Sequence, residues 1–500
     1  MNGARKHNLL CLISGVAYGF AWPPHGFWPF SFIMPAILFL VVSRVEKESV
    51  FPNVFLFSMA SWLTAFFWIG KHPIGATAST TVIVLFSLMA LLSAVISMGM
   101  ARANQNNRPQ KVLFAALSWF IFDLLLFWGP VPMPWLSIGL SSADSTWSLS
   151  WVQVSGPVGL SFLVLYVNGL LSLALLRVYP LTNTLLAALI LLFPMLQGAV
   201  SDFSGSSEDA PGQIVVGIAQ PGWPASDWAD VQNSEKVQRL AQQSTIHAGE
   251  VDLVVFPETA LSIGSDESLR SQSQILRDSL GAEILVGGIL REGLNEADAT
   301  YYNVSVSSNP ENAIYRKRRL VPFAEKVPFS NLIPFFKRFS VSSGGVSSYS
   351  SGTDLSEIRI AGAQAGLLIC YESLFFGDAL KYRNKGAKLL IVQTQDGWWS
   401  SSHPRAQHFA FTRLLASAVG LPVVQVAVDG ISGAIDAHGS VIISSESSSN
   451  SGKESYLTAS VDLLSHDTIF NRLGHLSLLI IMGALGAILV PQLLLDSNNK

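Results

Sequence analysis

The sequence predicts a helical membrane bundle of eight spans joined to an exported α/β domain. Three observations carry this reading. Half of the 500 residues are hydrophobic and only 13% are charged, where a soluble chain carries about 25%. The apolar residues are unevenly spread: residues 1–200 and 473–495 hold long apolar runs, whereas 212–466 hold most of the charge. Lys and Arg gather on alternate sides of the apolar runs, which orients the spans.

A bilayer core takes about 20 apolar residues per helix. The runs that meet this length lie near 8–25, 27–45, 54–70, 81–101, 111–129, 155–176, 182–200 and 473–495. The first follows Arg5 and Lys6 and lacks a small-residue cleavage site, so it reads as a retained span rather than a leader. The corner WPPHGFWPF at 22–30 is a simple loop or a re-entrant turn. With the N-terminus inside, the inner segments carry Arg5, Lys6, Arg44, Lys47, Arg102, Arg108, Lys111, Arg177 and Lys500, while the outer loops before the charged block carry only Lys71. Three parts follow: a seven-helix bundle over 1–200, an exported catalytic domain over 201–472, and a final span with a short inner tail over 473–500. In a two-membrane bacterium this places the chain in the inner membrane with its domain in the periplasm. Asp123 falls inside the fifth span, where a carboxylate must face the bundle or a polar cavity. It makes a helix–helix hydrogen bond or touches substrate.

The charged block reads as α/β with buried strands. Strands are expected at QIVVGIAQP (213–221), VDLVVFPE (251–258), AEILVGGIL (282–290), YYNVSVSS (301–308), within 359–372, at KLLIVQTQ (388–395), and in PVVQVAV, SGAIDAHGSVI and YLTASVDL. Helices are expected over 230–248, 267–280 and 404–419. Residues 309–350 and the Ser-rich 443–452 resist assignment. A net charge of −3 and the lack of a Lys/Arg run speak against a nucleic-acid partner.

Reactive side chains in such sheets sit at strand ends. VVFPE ends on Glu258, IYRKRRLVPFAEKVPF (314–329) carries Lys317 and Glu325, and LLICYE carries Cys370 followed by Tyr371 and Glu372. A thiol needs a base to become a thiolate, and acyl transfer needs a cation or donor for the oxyanion. Glu, Lys and Cys supply those parts, although spacing alone does not select them from a salt bridge, a cap and an inert buried thiol. Cys11, in the first span, cannot pair with Cys370. His403 and His408 stand five apart with no acidic or thiol ligand near them in the sequence, so no metal is expected. No phosphate loop or cofactor signature is present, and no cofactor is expected.

At these residues the chain resembles the apolipoprotein N-acyltransferases, membrane-bound members of the nitrilase superfamily. The motifs are FPETAL (256–261), YRKRRLVPFAEKVP (315–328), ICYE (369–372), QDGWW (395–399) and PRAQHFAFTR (404–413), with PWLSIG (134–139) and GPVGLSFLVLYVNGLL (156–171) in the bundle. The resemblance implies a nitrilase-like α-β-β-α sandwich. It implies Glu258 as general base, Lys317 as oxyanion stabiliser together with the amide after the cysteine, and Cys370 as the nucleophile that forms a thioester. Glu325, Tyr371 and Glu372 are supporting residues, and Trp228 lies on a loop over the site. The implied reaction moves an acyl chain from a phospholipid donor to the α-amino group of a diacylglyceryl-modified apolipoprotein acceptor. Phe335, Phe336 and Phe339, beside Lys337 and Arg338, then read as an interfacial arm in the lipid headgroups or as an ordinary packed loop. A monomer is expected.

The match has departures. The family usually has His at Arg319, Gly at Ala324 and Asn at Gln395, and carries Arg, Glu, Arg, Arg and Asn where this chain has Leu415, Ala418, Leu421, Gln425 and Val428. They leave room for a divergent acyltransferase with another acceptor. Two further classes stand beside the acyltransferase. One is a membrane-anchored amidase using the same three residues. The other is a transporter with an exported binding domain, against which the near-absence of charge in the spans argues.

Overall fold

The computed structural model describes residues 3–71, 76–102, 107–201, 212–223, 233–245, 250–293, 295, 298–332, 348–355, 357–397, 401–445 and 454–498. The chain divides into two compact units, a helical one and an α/β one.

The helical unit contains α1 (Gly3–Gly19), α2 (Met34–Arg44), α3 (Lys47–Phe66), α4 (Ala76–Arg102), α5 (Arg108–Trp128), α6 (Thr146–Leu175) and α7 (Pro180–Ser201). Among the described residues, α3 with its following turn, α5 and α6 are long and apolar enough to cross a bilayer. The expected span 27–45 is not one straight helix. It is a short 3-10 turn, Trp28–Phe32, followed by the eleven residues of α2, which cover about 16 Å, roughly half a hydrocarbon core. The aromatic- and proline-rich corner, with Pro35 entering α2, interrupts the helix that hydropathy alone would draw.

Polarity in this unit is inverted relative to a soluble bundle. Leu181, Leu185 and Leu189 of α7 point outward at i, i+4 spacing, as do Leu9, Leu12, Ile13 and Val16 of α1. Serines point inward and meet in pairs: Ser58 with Ser93 at 3.1 Å, Ser97 with Ser118 at 3.1 Å, Ser31 with Ser141 at 2.8 Å. Small hydroxyls let helices approach and bond where no hydrophobic drive exists between them. This is a membrane protein. Asp123 takes bonds from Ile138 N at 2.7 Å and Ser137 Oγ at 3.0 Å. It fastens the 134–142 turn to α5, a helix–turn bond where a helix–helix bond was one expectation. Gly156 (φ 68°) and Pro157 break the ladder of α6.

The α/β unit is built on β1 (Gln213–Gln220), β2 (Leu253–Val255), β3 (Ile263–Gly264), β4 (Glu283–Glu292), β5 (Thr300–Ser307), β6 (Tyr315–Arg316), β7 (Glu357–Ile360), β8 (Ala363–Ile369), β9 (Leu389–Thr394), β10 (Val423–Ala427), β11 (Gly433–Ile435), β12 (Val441–Ser444) and β13 (Ser455–Asp462). Its helices are α8 (Asn233–Ser244), α9 (Asp266–Leu280), α10 (Phe376–Asn384) and α11 (Ser402–Val419); α12 (Ile469–Leu473) leads to α13 (Leu476–Asn498) in the helical unit. The first sheet runs β13-β1-β2-β4-β5-β6 with β3 beside β4, and the second runs β12-β11-β10-β9-β8-β7. In each, the middle is parallel (β1, β2, β4 and β8, β9, β10) and the flanks antiparallel.

Alternation along the strands explains the stacking. Ile214, Val216, Ile218, Leu253, Val255 and Leu285 of the first sheet pack against Leu367, Ile369, Leu389, Ile391, Val424 and Val426 of the second. The intervening residues, such as Ala219, Val254, Ile284 and Val286, turn the other way onto Leu240, Leu269, Leu276 and Leu280 of α8 and α9. Each buried Val, Leu or Ile side chain here contributes about 1.5–3 kcal/mol. The expected α-β-β-α sandwich is thus the observed one. Helix ends follow local chemistry: α9 starts on Ser265, which caps Ser268 N, and stops at left-handed Gly281; α11 starts on Ser401 and stops at left-handed Gly420.

Candidate active site

The parallel strands of both sheets end at the same edge of the unit, and the expected reactive residues follow those ends. Glu258 lies three residues past β2. Its turn is stitched to β4 by Phe256 N to Leu285 O at 2.8 Å, Gly287 N to Pro257 O at 3.1 Å and Leu261 N to Gly287 O at 2.9 Å. A Cβ on Gly287 would stand 2.3 Å from Pro257 O and 2.7 Å from Glu258 Cα, so only glycine lets the turn come this close. Thr259, next to Glu258, takes a left-handed φ of 49°.

Lys317 leaves the end of β6. It is 1% exposed, and its backbone is fixed by Lys317 N to Asn303 O at 2.8 Å and Gly352 N to Lys317 O at 2.9 Å. Its Nζ lies 2.9 Å from Glu258 Oε1 and 2.9 Å from Glu325 Oε1. Burial alone would pull this ammonium down. The carboxylates of Glu258 and Glu325 outweigh it and hold the group well above its ordinary value. Glu325 Oε2 accepts from Val321 N at 2.8 Å, so this carboxylate closes the loop 321–325 while it orients the lysine.

Sequence reasoning missed Asn303. Its Nδ2 donates to Glu258 Oε1 at 2.7 Å and Glu325 Oε1 at 3.1 Å, bridging the same two oxygens as the lysine. The available signal was an amide on the polar face of YYNVSV, which it shares with Tyr301 and Ser305, opposite the apolar Tyr302, Val304 and Val306.

Cys370 is the first residue after β8 and sits at φ 53°, a strained value for a residue with a Cβ. The thiol is free. Burial, and after it the charge of Glu258, push its proton affinity well above the ordinary thiol value, while Lys317 pulls the other way. The resting side chain is therefore a thiol in need of a base. The turn that follows is a 3-10 helix, Cys370–Leu374. Tyr371 is buried, its ring edge-on to Phe375 at 5.4 Å.

Glu372 joins the two halves of the site. It accepts from Tyr315 Oη at 2.8 Å, Arg318 N at 2.8 Å, Arg319 N at 3.1 Å and Ile369 N at 2.8 Å. One buried carboxylate thereby holds the lysine segment against the turn that begins at Cys370. Glu372→Gln keeps the size but offers one acceptor oxygen in place of two. It is expected to cost about 2–3 kcal/mol through donors left unmet, seen as a lower thermal midpoint.

Trp228, Phe335, Phe336 and Phe339 lie outside the described residues. Of the departures, Arg319 pairs with Asp378 at 3.0 Å and stacks over Phe375 at 4.8 Å from the ring centroid. Its backbone N–H, not its side chain, reaches Glu372. Gln395 is buried and accepts from Gly397 N at 3.0 Å.

One expectation needs correction. His408 is distant in sequence from acids and thiols, yet folding brings its ring within 4.8 Å of ligating atoms of Cys370 and Asp396. These residues do not fit a metal. Nδ1 of His408 meets Asp396 Oδ1 at 2.9 Å and Nε2 meets Ser373 Oγ at 2.8 Å, so both ring nitrogens are already engaged. His403 bonds Ser401 instead, at 3.1 Å.

A two-sheet sandwich with a glutamate, a lysine and a cysteine gathered past its strand ends defines a carbon–nitrogen hydrolase. The chain belongs to that family: residues 215–466 match the carbon-nitrogen hydrolase model. Within it, the chain falls among the apolipoprotein N-acyltransferases, with residues 14–170 matching the model of their N-terminal domain. An apolipoprotein N-acyltransferase of Rickettsia prowazekii (strain Madrid E) is 25% identical over 491 residues, covering 95% of this chain and 96% of its own. One of Geobacter metallireducens is 25% identical over 498 residues, covering 94% and 92%. Among solved structures, a carbon-nitrogen hydrolase from Helicobacter pylori G27 shares 18% identity and covers 50% of this chain and 90% of its own, with a TM-score of 0.38.

Proposed function

We propose that this protein moves an acyl chain from a phospholipid to the free α-amino group of a diacylglyceryl-modified N-terminal cysteine on an apolipoprotein, through a thioester on Cys370. The observation that carries the reading is the buried Lys317 Nζ, held between Glu258 and Glu325 at 2.9 Å from each and electrostatically coupled to Cys370. That arrangement supplies a base and an oxyanion cation to one sulfur.

Glu258 takes the thiol proton, and the thiolate attacks the ester carbonyl. Lys317 and the backbone N–H of Tyr371 stabilise the oxyanion. Collapse breaks the ester C–O bond, and Glu258 returns the proton to the departing lysophospholipid oxygen. The lipoprotein amine then attacks the thioester and gives its proton to Glu258. The C–S bond breaks, the amide forms and Cys370 recovers its proton. Water must be kept out between the two halves, a task that falls to Phe335, Phe336, Phe339 and Trp228 in this reading. The reading extends to eight spans, a periplasmic catalytic domain in the inner membrane, and a monomer. The relatives' names support acyl transfer to lipoproteins, and the outward leucines of the helical unit support insertion in a membrane.

The test is direct. Purified protein is mixed with phospholipid, quenched in acid and examined by mass spectrometry. An acyl adduct on Cys370 that forms without lipoprotein, discharges to a diacylglyceryl-cysteine peptide and is missing from Cys370→Ala is the expected result. Turnover of a soluble amide without any lipid adduct would make the protein an amidase.

A further inference from the structure

Glu258 and Lys317 account for one flank of Cys370. The other flank carries four buried polar groups that the mechanism above does not use: Ser373 in the turn, Thr394 at the end of β9, Asp396 just beyond it, and His408 on α11. They form a continuous chain that begins and ends on the nucleophile. Ser373 Oγ donates to Cys370 O at 2.9 Å and meets His408 Nε2 at 2.8 Å. His408 Nδ1 meets Asp396 Oδ1 at 2.9 Å, and Thr394 Oγ1 donates to the same oxygen at 2.9 Å. Cys370 Sγ lies within 4.8 Å of ligating atoms of Asp396 and His408, Thr394 Oγ1 also meets His408 Nδ1 at 3.3 Å, and a bond from Thr394 favours the Cys370 thiolate.

Counting protons shows what the chain can do. An ionised carboxylate only accepts, so His408 Nδ1 carries a hydrogen. Ser373 Oγ lies between Cys370 O and His408 Nε2 and ties the ring to the backbone of the nucleophile. Thr394 has one proton and two claimants, Asp396 Oδ1 and the sulfur. While Cys370 is a thiol, the proton rests on the carboxylate side. Once Glu258 removes the thiol proton, the thiolate is the acceptor left without a donor on this flank. Thr394 can rotate to it, because His408 still satisfies Asp396. No net proton is moved.

We infer that Thr394, Asp396, His408 and Ser373 form a positioning array. Ser373 fixes the left-handed backbone of the nucleophile, and Thr394 toggles between Asp396 at rest and the Cys370 thiolate when it forms. The inference rests on the proposed use of Cys370 as nucleophile. The charged and titratable groups facing the sulfur are Glu258 and Lys317 on one flank and Asp396 and His408 on the other.

The toggle makes a prediction of sign that a merely structural role does not. In full-length protein, the rate of Cys370 alkylation by iodoacetamide is followed against pH by peptide mass spectrometry. That rate tracks the thiolate and needs no acyl transfer. Thr394→Val, which removes the donor, is expected to raise the alkylation midpoint by about one pH unit and to slow acyl-adduct formation with little change in KM. Thr394→Ser should restore both. Asp396→Asn, which removes the competitor and a negative charge, should lower the midpoint. Opposite shifts support the array. Folded variants that share the parent midpoint, or shift the same way, overturn it. Should Thr394→Val not fold, a midpoint in Asp396→Asn that does not fall overturns it alone. A parent enzyme that takes up no acyl chain from phospholipid would sink the proposed function while leaving the midpoint comparison intact.

Discussion

Lys317→Met is expected to abolish acyl transfer and to be the most destabilising single change at the site. Methionine fills similar space but leaves Glu258 and Glu325 facing each other with their shared cation gone. Removing one partner of a buried ion pair costs about 3–5 kcal/mol. For a domain of this size each kcal/mol shifts the midpoint by about 2–4 °C, so thermal unfolding reads the loss clearly. The pH dependence has a definite sign. The lysine is held above its ordinary value of 10.5, so its contribution is fully present below that value and fades only as pH rises through the folded one. The gap between Lys317→Met and the parent should therefore be flat across neutral pH and narrow only in strong alkali. Lys317→Arg separates charge from shape. A planar guanidinium cannot place one nitrogen 2.9 Å from two carboxylate oxygens as the ammonium does. It should recover part of the stability and little of the activity. An active Lys317→Met would remove the lysine from the mechanism.

Most of the sandwich was legible because each strand carries its own signal. LVV, LLIVQT and VVQVA are short apolar runs of buried parallel strands, and Ser265, Gly281, Ser401 and Gly420 punctuate the helices as capping chemistry requires. Glu258 and Cys370 were legible because they follow such runs, whereas Lys317, after the two-residue antiparallel strand Tyr315–Arg316, stood out through the motif around it. Asn303 was not legible because it lies inside a strand, where an amide looks like an ordinary interior position until two carboxylates converge on it. The chain from His408 to Thr394 was hidden for a related reason. Its members come from a turn, a strand end and a helix, and only the stacking of α11 on the second sheet brings them together. In the membrane half, hydropathy reports how apolar a run is, not whether the backbone stays helical through it. The segment 27–45 therefore read as one span although proline and aromatic crowding split it.

Glu258→Gln is the second change expected to have a large effect, and it tests the chemistry with little disturbance of the fold. Glutamine keeps the size, and its carbonyl can still accept from Lys317 or from Asn303, which donate to Glu258 Oε1 at 2.9 Å and 2.7 Å. What it cannot do is take the proton of Cys370. Loss of a positioned general base slows a reaction by about 10²–10⁴-fold, or roughly 3–5 kcal/mol of barrier. The readout is the rate of acyl-adduct formation on Cys370, with the thermal midpoint as the control for folding. The environment of the sulfur adds a second signature. Burial, and then the Glu258 charge, hold the Cys370 proton well above the ordinary thiol range, with Lys317 opposing. Without a base the thiolate must come from solvent. Adduct formation in Glu258→Gln should therefore climb steadily with pH, while the parent enzyme, with its proton acceptor in place, depends on pH less steeply. Removing the negative charge beside the sulfur also eases its ionisation, so the variant's climb begins below the point that the parent's thiol would need unaided. An unchanged rate at neutral pH would show that another group takes the proton, and the nearest candidate would then be Asp396 on the opposite flank.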